Sequence, residues 1–211
     1  QVLISRAKAE SAVPFGAAIK GGHNAEQHNH NDVGSYAIVL DGVEMTGDPG
    51  GEVYTRRTFS RERYVSKVLN SYGHPVPVVA GQLQPTGRRA AASVLATEFS
   101  SLRDSITLDL SKAYDVPELT TLRRQFTYDR RLRAMEIIDE VEFKTPQTFS
   151  VPLVTYQKVF RRNATTLFLY DTKRCLQVKV NVTGGIWDMV EEEIENPGRP
   201  SPRRQIGRAH V

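Results

Sequence analysis

A single cysteine, Cys175, stands in 211 residues. One thiol excludes an internal disulfide and a cysteine-built zinc site, so any metal must take histidine and carboxylate ligands. No run of about 18 apolar residues is present, which excludes a membrane-spanning helix. Nothing at the start reads as a basic, then apolar, then small-residue leader. The first residue is Gln1 and not methionine, so the chain reads as a fragment and the missing leader says nothing about location. Sustained helical periodicity is missing too: no stretch keeps its apolar residues on one helical face for four turns. Charge of one sign is also scarce. Of the formal net charge of +4, all comes from residues 199–211, where Arg199, Arg203, Arg204 and Arg208 meet no acid. The other 24 basic residues balance 24 acidic ones. A neutral body predicts neither a nucleic-acid nor a membrane partner.

With 39% hydrophobic residues the chain can bury a sizeable core. Residues 12–20, punctuated by Pro14 and Gly16, suit an edge or bulged strand. Ser35 to Leu40 reads as a buried strand, Asp41-Gly42 as a tight hairpin turn, and Val43 to Thr46 as the return strand. Residues 56–70 have room for a short helical turn after Ser60. From residue 76 onward, short strand-like runs follow one another at 76–83, 90–97, 104–111, 119–128, 134–143, 147–155, 165–171 and 175–182. The pattern predicts an all-β fold, an antiparallel β-sandwich of two packed sheets with short helical turns only. Residues 1–196 are expected to form this domain and 197–211 a tail. Its last seven residues, Gln205 to Val211, have the look of a sequencing adapter translated in frame.

The chain is organised around Gly21-Gly22-His23-Asn24-Ala25-Glu26-Gln27-His28-Asn29-His30-Asn31-Asp32. In an extended segment His28 and His30 would point to the same face, a metal-ligand or acid/base arrangement. The hairpin at Asp41-Gly42 returns the turn Gly47-Asp48-Pro49-Gly50 toward the same end, so Asp48 is expected near His30. His74 follows in Ser71-Tyr72-Gly73-His74-Pro75.

The histidine run with Asp48-Pro49-Gly50 and with Asn70-Ser71-Tyr72-Gly73-His74-Pro75-Val76-Pro77-Val78-Val79 resembles the C-terminal domain of heparinase II/III-like polysaccharide lyases. The likeness runs in order from about Phe15 to about Tyr156 and is densest over 20–79. It implies a β-sandwich, a preceding helical toroid domain that this chain lacks, and an anionic polysaccharide running between the two. It implies a metal at His30, Asp48 and His74, and a catalytic role for His28. The catalytic tyrosine, and the residue that neutralises the substrate carboxylate, would come largely from the toroid. Two imidazoles and a carboxylate fit zinc, with ligands at about 2.0–2.2 Å, in a structural more than a catalytic role. A polysaccharide substrate such as a glycosaminoglycan or alginate implies a periplasmic or secreted protein.

The activity implied is β-elimination: loss of the C5 proton of a uronate and expulsion of the C4 oxygen without water. His23, Tyr36, Tyr54 and Arg56 are weaker candidates for substrate contact, each against an ordinary role in packing or on a solvated surface. Asp32 either caps a turn or orients an imidazole. Arg123 and Arg124 read as edge protection. Three rival readings remain from the residues alone. A glycoside hydrolase would need two flanking carboxylates. A metallohydrolase barrel would need helices that are missing. A non-catalytic carbohydrate-binding or structural module would need neither.

Overall fold

A computed structural model describes residues 1–211. Seventeen strands, numbered in chain order, carry the fold, and every ladder between them is antiparallel. The first sheet contains β1 (Val2–Arg6), β2 (Phe15–Lys20), β4 (Tyr36–Leu40) and β5 (Val43–Thr46) in that spatial order. β3 (His23–Asn24) and β7 (Gly87–Ala91) form a separate two-stranded ribbon. β8 (Ser93–Phe99), β9 (Arg103–Asp109), β10 (Leu119–Asp129) and β11 (Ala134–Phe143) make an up-and-down sheet. A third sheet runs β16 (Ile186–Glu193), β17 (Arg203–His210), β12 (Thr148–Thr155) and β6 (Val78–Val79). β13 (Lys158–Arg161), β14 (Thr166–Tyr170) and β15 (Cys175–Lys179) make the fourth.

The expected two-sheet sandwich is therefore corrected. The strands divide into four open sheets of three or four strands, the arrangement of a four-bladed β-propeller, with the ribbon in addition. The reason lies in connectivity. A sandwich passes strands between two sheets, whereas β8 to β11 and β13 to β15 each pair with their sequence neighbours and stay in one sheet. Short alternating strands with frequent turns are common to both architectures, so periodicity alone does not separate them.

Other expectations shift as well. β2 lies inside its sheet between β1 and β4 and is not an edge. The helical turns are four 3-10 turns, at Arg57–Phe59, Arg63–Val65, Ser71–Gly73 and Ser111–Ala113, so they extend beyond residues 56–70. Residues 197–211 are not a tail. β17 pairs over eight residues with β12 on one side and β16 on the other, and Arg204, Gln205 and Ile206 are buried. The Pro- and Gly-rich stretch before it is the turn from β16, closed by Ile194 N–H donating to the Pro202 carbonyl at 2.9 Å.

The hairpin between β4 and β5 turns at Asp41 and Gly42 with φ of 49° and 77°, positive at both as a type I′ turn requires. A register shift at Ile38/Val39 bends β5 away from its partner and sends the chain into the Asp48 loop. The main core draws on several sheets: Phe15, Ile19 and Met45 from the first, Leu108, Leu122, Phe126 and Tyr128 from the second, Phe149 and Met189 from the third, Leu167 and Leu169 from the fourth.

Candidate metal centre

Three loops meet at His30, Asp48 and His74, whose ligand-type atoms all lie within 4.8 Å of one another. His30 Nδ1 is 3.9 Å from Asp48 Oδ2, and His74 Nδ1 is 3.5 Å from the same oxygen. The imidazole centroids are 5.0 Å apart with planes inclined at 50°. These separations are longer than hydrogen bonds. They are near the roughly 3.3 Å between neighbouring ligands that tetrahedral geometry gives for metal bonds of about 2.0–2.1 Å.

Each loop is fixed by its own hydrogen bonds. Asp48 Oδ1 accepts from Gly50 N–H at 2.6 Å, an Asx turn that leaves Oδ2 facing the imidazoles. The turn is tied down by Gly47 N–H donating to the Val154 carbonyl (3.0 Å) and by the Tyr156 hydroxyl donating to the Pro49 carbonyl (2.5 Å). His74 follows the 3-10 turn Ser71–Gly73, capped by Asn70, whose side chain accepts from Tyr72 N–H at 2.8 Å. Gly73 has no room for a side chain, because a Cβ there would lie 2.4 Å from the Lys67 carbonyl oxygen. Just before His30, Asn29 receives the Tyr64 hydroxyl and Arg63 Nη2 on its backbone carbonyl. Just after it, Asn31 N–H donates to the Leu69 carbonyl at 3.1 Å.

The donor set fits a divalent cation. His74 is wholly buried, and neither ring nitrogen has a hydrogen-bond partner. An unpaired buried polar atom costs about 1–3 kcal/mol, which a cation bound to one nitrogen would relieve at that atom. Burial, and after it the neighbouring His74, lowers the His30 pKa to about 4, against the opposing pull of Asp48 and Asp32. His30 is thus neutral at physiological pH, the form that binds metals. Nitrogen and oxygen donors of this kind suit zinc among several divalent ions.

His28 is exposed and has φ of 56°, in the left-handed region. Residues 25–28 are turn or bend and 29–30 belong to no strand, so the same-face argument from extended geometry does not hold for His28 and His30. The weaker candidates separate clearly. Tyr36 is buried in the core, edge-on to Phe126 at 6.2 Å, and does not face a substrate surface. Its alternating position on β4 explains this, since Tyr36, Ile38 and Leu40 share the inward face. His23 sits in the ribbon and accepts from Ala25 N–H at 3.2 Å. Tyr54 is 71% exposed and meets the 72%-exposed ring of Phe59 edge-on at 5.4 Å, with Arg56 exposed on the same loop. Buried Glu52 closes that loop, accepting from Arg57 Nη2 and Thr58 Oγ1, both at 2.6 Å. Asp32 pairs with Lys20 and accepts from the Ser35 hydroxyl at 3.2 Å, so its hydrogen bonds go to neither imidazole.

Several residues around the centre carry no signal in the sequence. Tyr156 braces the Asp48 turn from β12's end. Glu44, on β5, has its carboxyl pushed up to about 7 by loss of solvent and then by the charge of Asp48. Hairpin register could have brought Glu44 forward, since it sits four residues before Asp48; nothing local marks Tyr156. Arg124, expected as edge protection, is completely buried.

The fold and the cluster together define an antiparallel all-β chain able to hold a divalent cation between three loops. No protein-family model matches the chain, and no curated protein matches it. Solved structures do. A heparinase III with methylated lysines superposes with a TM-score of 0.76 at 12% identity, covering 100% of this chain and 32% of its own. Heparan sulfate lyase HepC from Pedobacter heparinus gives a TM-score of 0.74 at 15% identity, again covering 100% of this chain and 32% of that one. A mutant of the same lyase gives 0.69 at 14% identity, over 94% and 30%. At such identities the likeness is one of fold. The chain spans about a third of the length of these structures. No helix in it is long and apolar enough to cross a membrane.

Proposed function

We propose that this chain is the C-terminal portion of a polysaccharide lyase that breaks uronate-containing polysaccharides by β-elimination. The observation that carries the reading is the convergence of His30, Asp48 and His74 in a chain whose fold recurs in about a third of a heparinase III. The domain in question includes β17, and so runs beyond residue 196, and the helical domain expected before it would supply the rest of the cleft. The substrate class is an anionic polymer, a glycosaminoglycan or alginate, which places the protein in the periplasm or outside the cell.

His28 is the residue assigned to the uronate C5 proton or to the charge that develops when it leaves. Its exposure leaves the imidazole open to a polymer, and histidine is the side chain most often used for general acid–base transfer. Tyr54 and Arg56 offer a stacking ring and a cation to an acidic sugar, and His23 is a further candidate contact. The ion held by His30, Asp48 and His74, zinc by its donor chemistry, would supply a fixed positive charge joining the three loops. Its role is structural.

The test is the rise in ultraviolet absorbance of unsaturated uronate products when the intact protein meets glycosaminoglycans, alginate and other uronates. Reducing ends released without that absorbance would indicate a hydrolase, and neither product would indicate a carbohydrate-binding module. His28→Ala should abolish elimination while metal content and melting temperature stay unchanged. Near-normal turnover in that variant would remove His28 from the mechanism.

A further inference from the structure

Between the segment that carries His30 and the segment that carries His74 lies a buried polar clamp. At its centre is Arg124, in the middle of β10, with no exposed surface. Its Nε and Nη2 bond both oxygens of Asp139 on β11, at 2.6 and 2.8 Å. Its Nη1 donates in two directions, to the Gly34 carbonyl at 3.0 Å and to the Pro75 carbonyl at 2.8 Å. Gly34 is four residues after His30, and Pro75 is next to His74. A single rigid fork therefore spans the two segments whose histidines face Asp48.

Gln84 reinforces the bridge. Its Oε1 accepts from Val33 N–H (3.1 Å), its Nε2 donates to the Val33 carbonyl (2.8 Å), and its own N–H donates to Ser71 Oγ (2.8 Å). Gly34 has a left-handed φ of 85° and lies against Leu110, where a Cβ would come within 2.7 Å of Cδ1, so the position suits glycine. A planar guanidinium with fixed donor directions sets a separation more sharply than a flexible ammonium can. Partners of this kind, one step removed from ligands, commonly change metal affinity 10- to 100-fold when lost.

We propose that Arg124, oriented by Asp139, is a positioning residue for the metal centre, setting the spacing of His30 and His74 through the Gly34 and Pro75 carbonyls. The proposal rests on the reading of His30, Asp48 and His74 as a metal site. Removing Arg124 alone would strand the Asp139 charge, so the pair is replaced together as Arg124→Met with Asp139→Leu. Zinc affinity is measured by competition with a chromophoric chelator, well below the melting temperature recorded in chelator. Cobalt is then bound in place of zinc, and its visible absorption reads the coordination geometry.

The expected result is a cooperatively folded double variant whose zinc Kd is 10- to 100-fold weaker, with a weaker and shifted cobalt band. Replacing in the same way the pair formed by Arg130, just past β10, and Asp104 on β9, as Arg130→Met with Asp104→Leu, should leave zinc Kd within twofold. Arg124→Lys, which keeps the charge opposite Asp139 but not the fork, serves if the double variant does not fold, and it should also lose at least tenfold. A folded Arg124 variant with wild-type zinc Kd and cobalt spectrum overturns the positioning role alone. A wild-type chain that takes up no zinc overturns the metal site and this proposal together.

Discussion

The sheet β8 to β11 and the loops between Gly21 and Gln84 build structure in opposite ways. On β10 the inward positions Leu122, Arg124, Phe126 and Tyr128 are all buried, while Arg123 and Gln125 between them are exposed. β11 repeats the alternation without a break. That region is held by its backbone ladders and by apolar faces. The loop region has few ladder bonds and a thin apolar share, and it is fixed by side chains that grip backbone: Asp48 on Gly50, Asn70 on Tyr72, Gln84 on Val33, Arg124 on Gly34 and Pro75. Hydrophobic faces can slide or repack at modest cost. Directional polar clamps fix positions to a fraction of an ångström, which a three-ligand cation site demands.

The contrast is broken most severely where the loops have no slack. Gly73→Ala should destabilise the chain by about 3–4 kcal/mol, because the added Cβ meets the Lys67 carbonyl oxygen at 2.4 Å and the turn before His74 must open. Denaturant unfolding would measure it, and zinc affinity should fall in the same variant. A neutral effect would show that the His74 turn is softer than its packing indicates. Leu108→Ala in β9, fully buried, should cost a similar or slightly smaller amount, about 3 kcal/mol, by leaving a cavity. Its zinc Kd should stay within twofold, since Leu108 contributes apolar burial and makes none of the polar contacts through which its cross-strand partner Arg124 reaches the Gly34 and Pro75 carbonyls. Loss of zinc affinity there would erase the division between the two regions.

How much of this was legible in the sequence follows the same division. Period-two alternation made β10 and β11 readable nearly to the residue, and Asp41-Gly42 announced the hairpin that swings Asp48 back. His30, Asp48 and His74 came from spacing, hairpin geometry and family resemblance. The assembly of the sheets did not follow, because alternation says which face is buried and not which sheet a strand joins. β17 is hidden in the sequence because Pro- and Gly-rich residues 197–202 read as the end of the fold, whereas they are a turn into an inner strand. Arg124 reads as edge protection in the sequence because an arginine among alternating strand residues is ordinarily exposed. Its burial depends on Asp139, fifteen residues away, and on two carbonyls from distant loops.

A third test separates ligand from scaffold. At a free zinc concentration of 100 times Kd, binding to the folded chain alone should add about 2.7 kcal/mol. His30→Ala should abolish that increment, with chelator-treated and zinc-loaded samples melting together. If zinc content and the zinc-dependent rise in melting temperature persist in His30→Ala, His30 is not a ligand.

The smallest expected effect is one of pH on the metal-free chain, and it sharpens the comparison because no titrating group of the sheet interior is involved. His30 is held neutral in the folded state down to about pH 4, while in the unfolded chain it takes its proton near 6.5. Between those values the unfolded state binds more protons, so stability falls as the pH is lowered from 6.5 toward 4 and levels off below. The burial of the ring, which gives the shift, is incomplete, since its side chain is 18% exposed. The contribution is therefore on the order of 2 kcal/mol, less than the full shift would supply. Carboxylates titrate in the same range, and the difference between wild type and His30→Ala in chelator isolates the imidazole. Across that window His30→Ala should lose less stability than wild type, and Leu108→Ala should lose as much as wild type. Parallel curves for wild type and His30→Ala would mean that the imidazole is not desolvated in the folded chain, and the packing of the three loops around Asp48 would have to be looser than these distances imply.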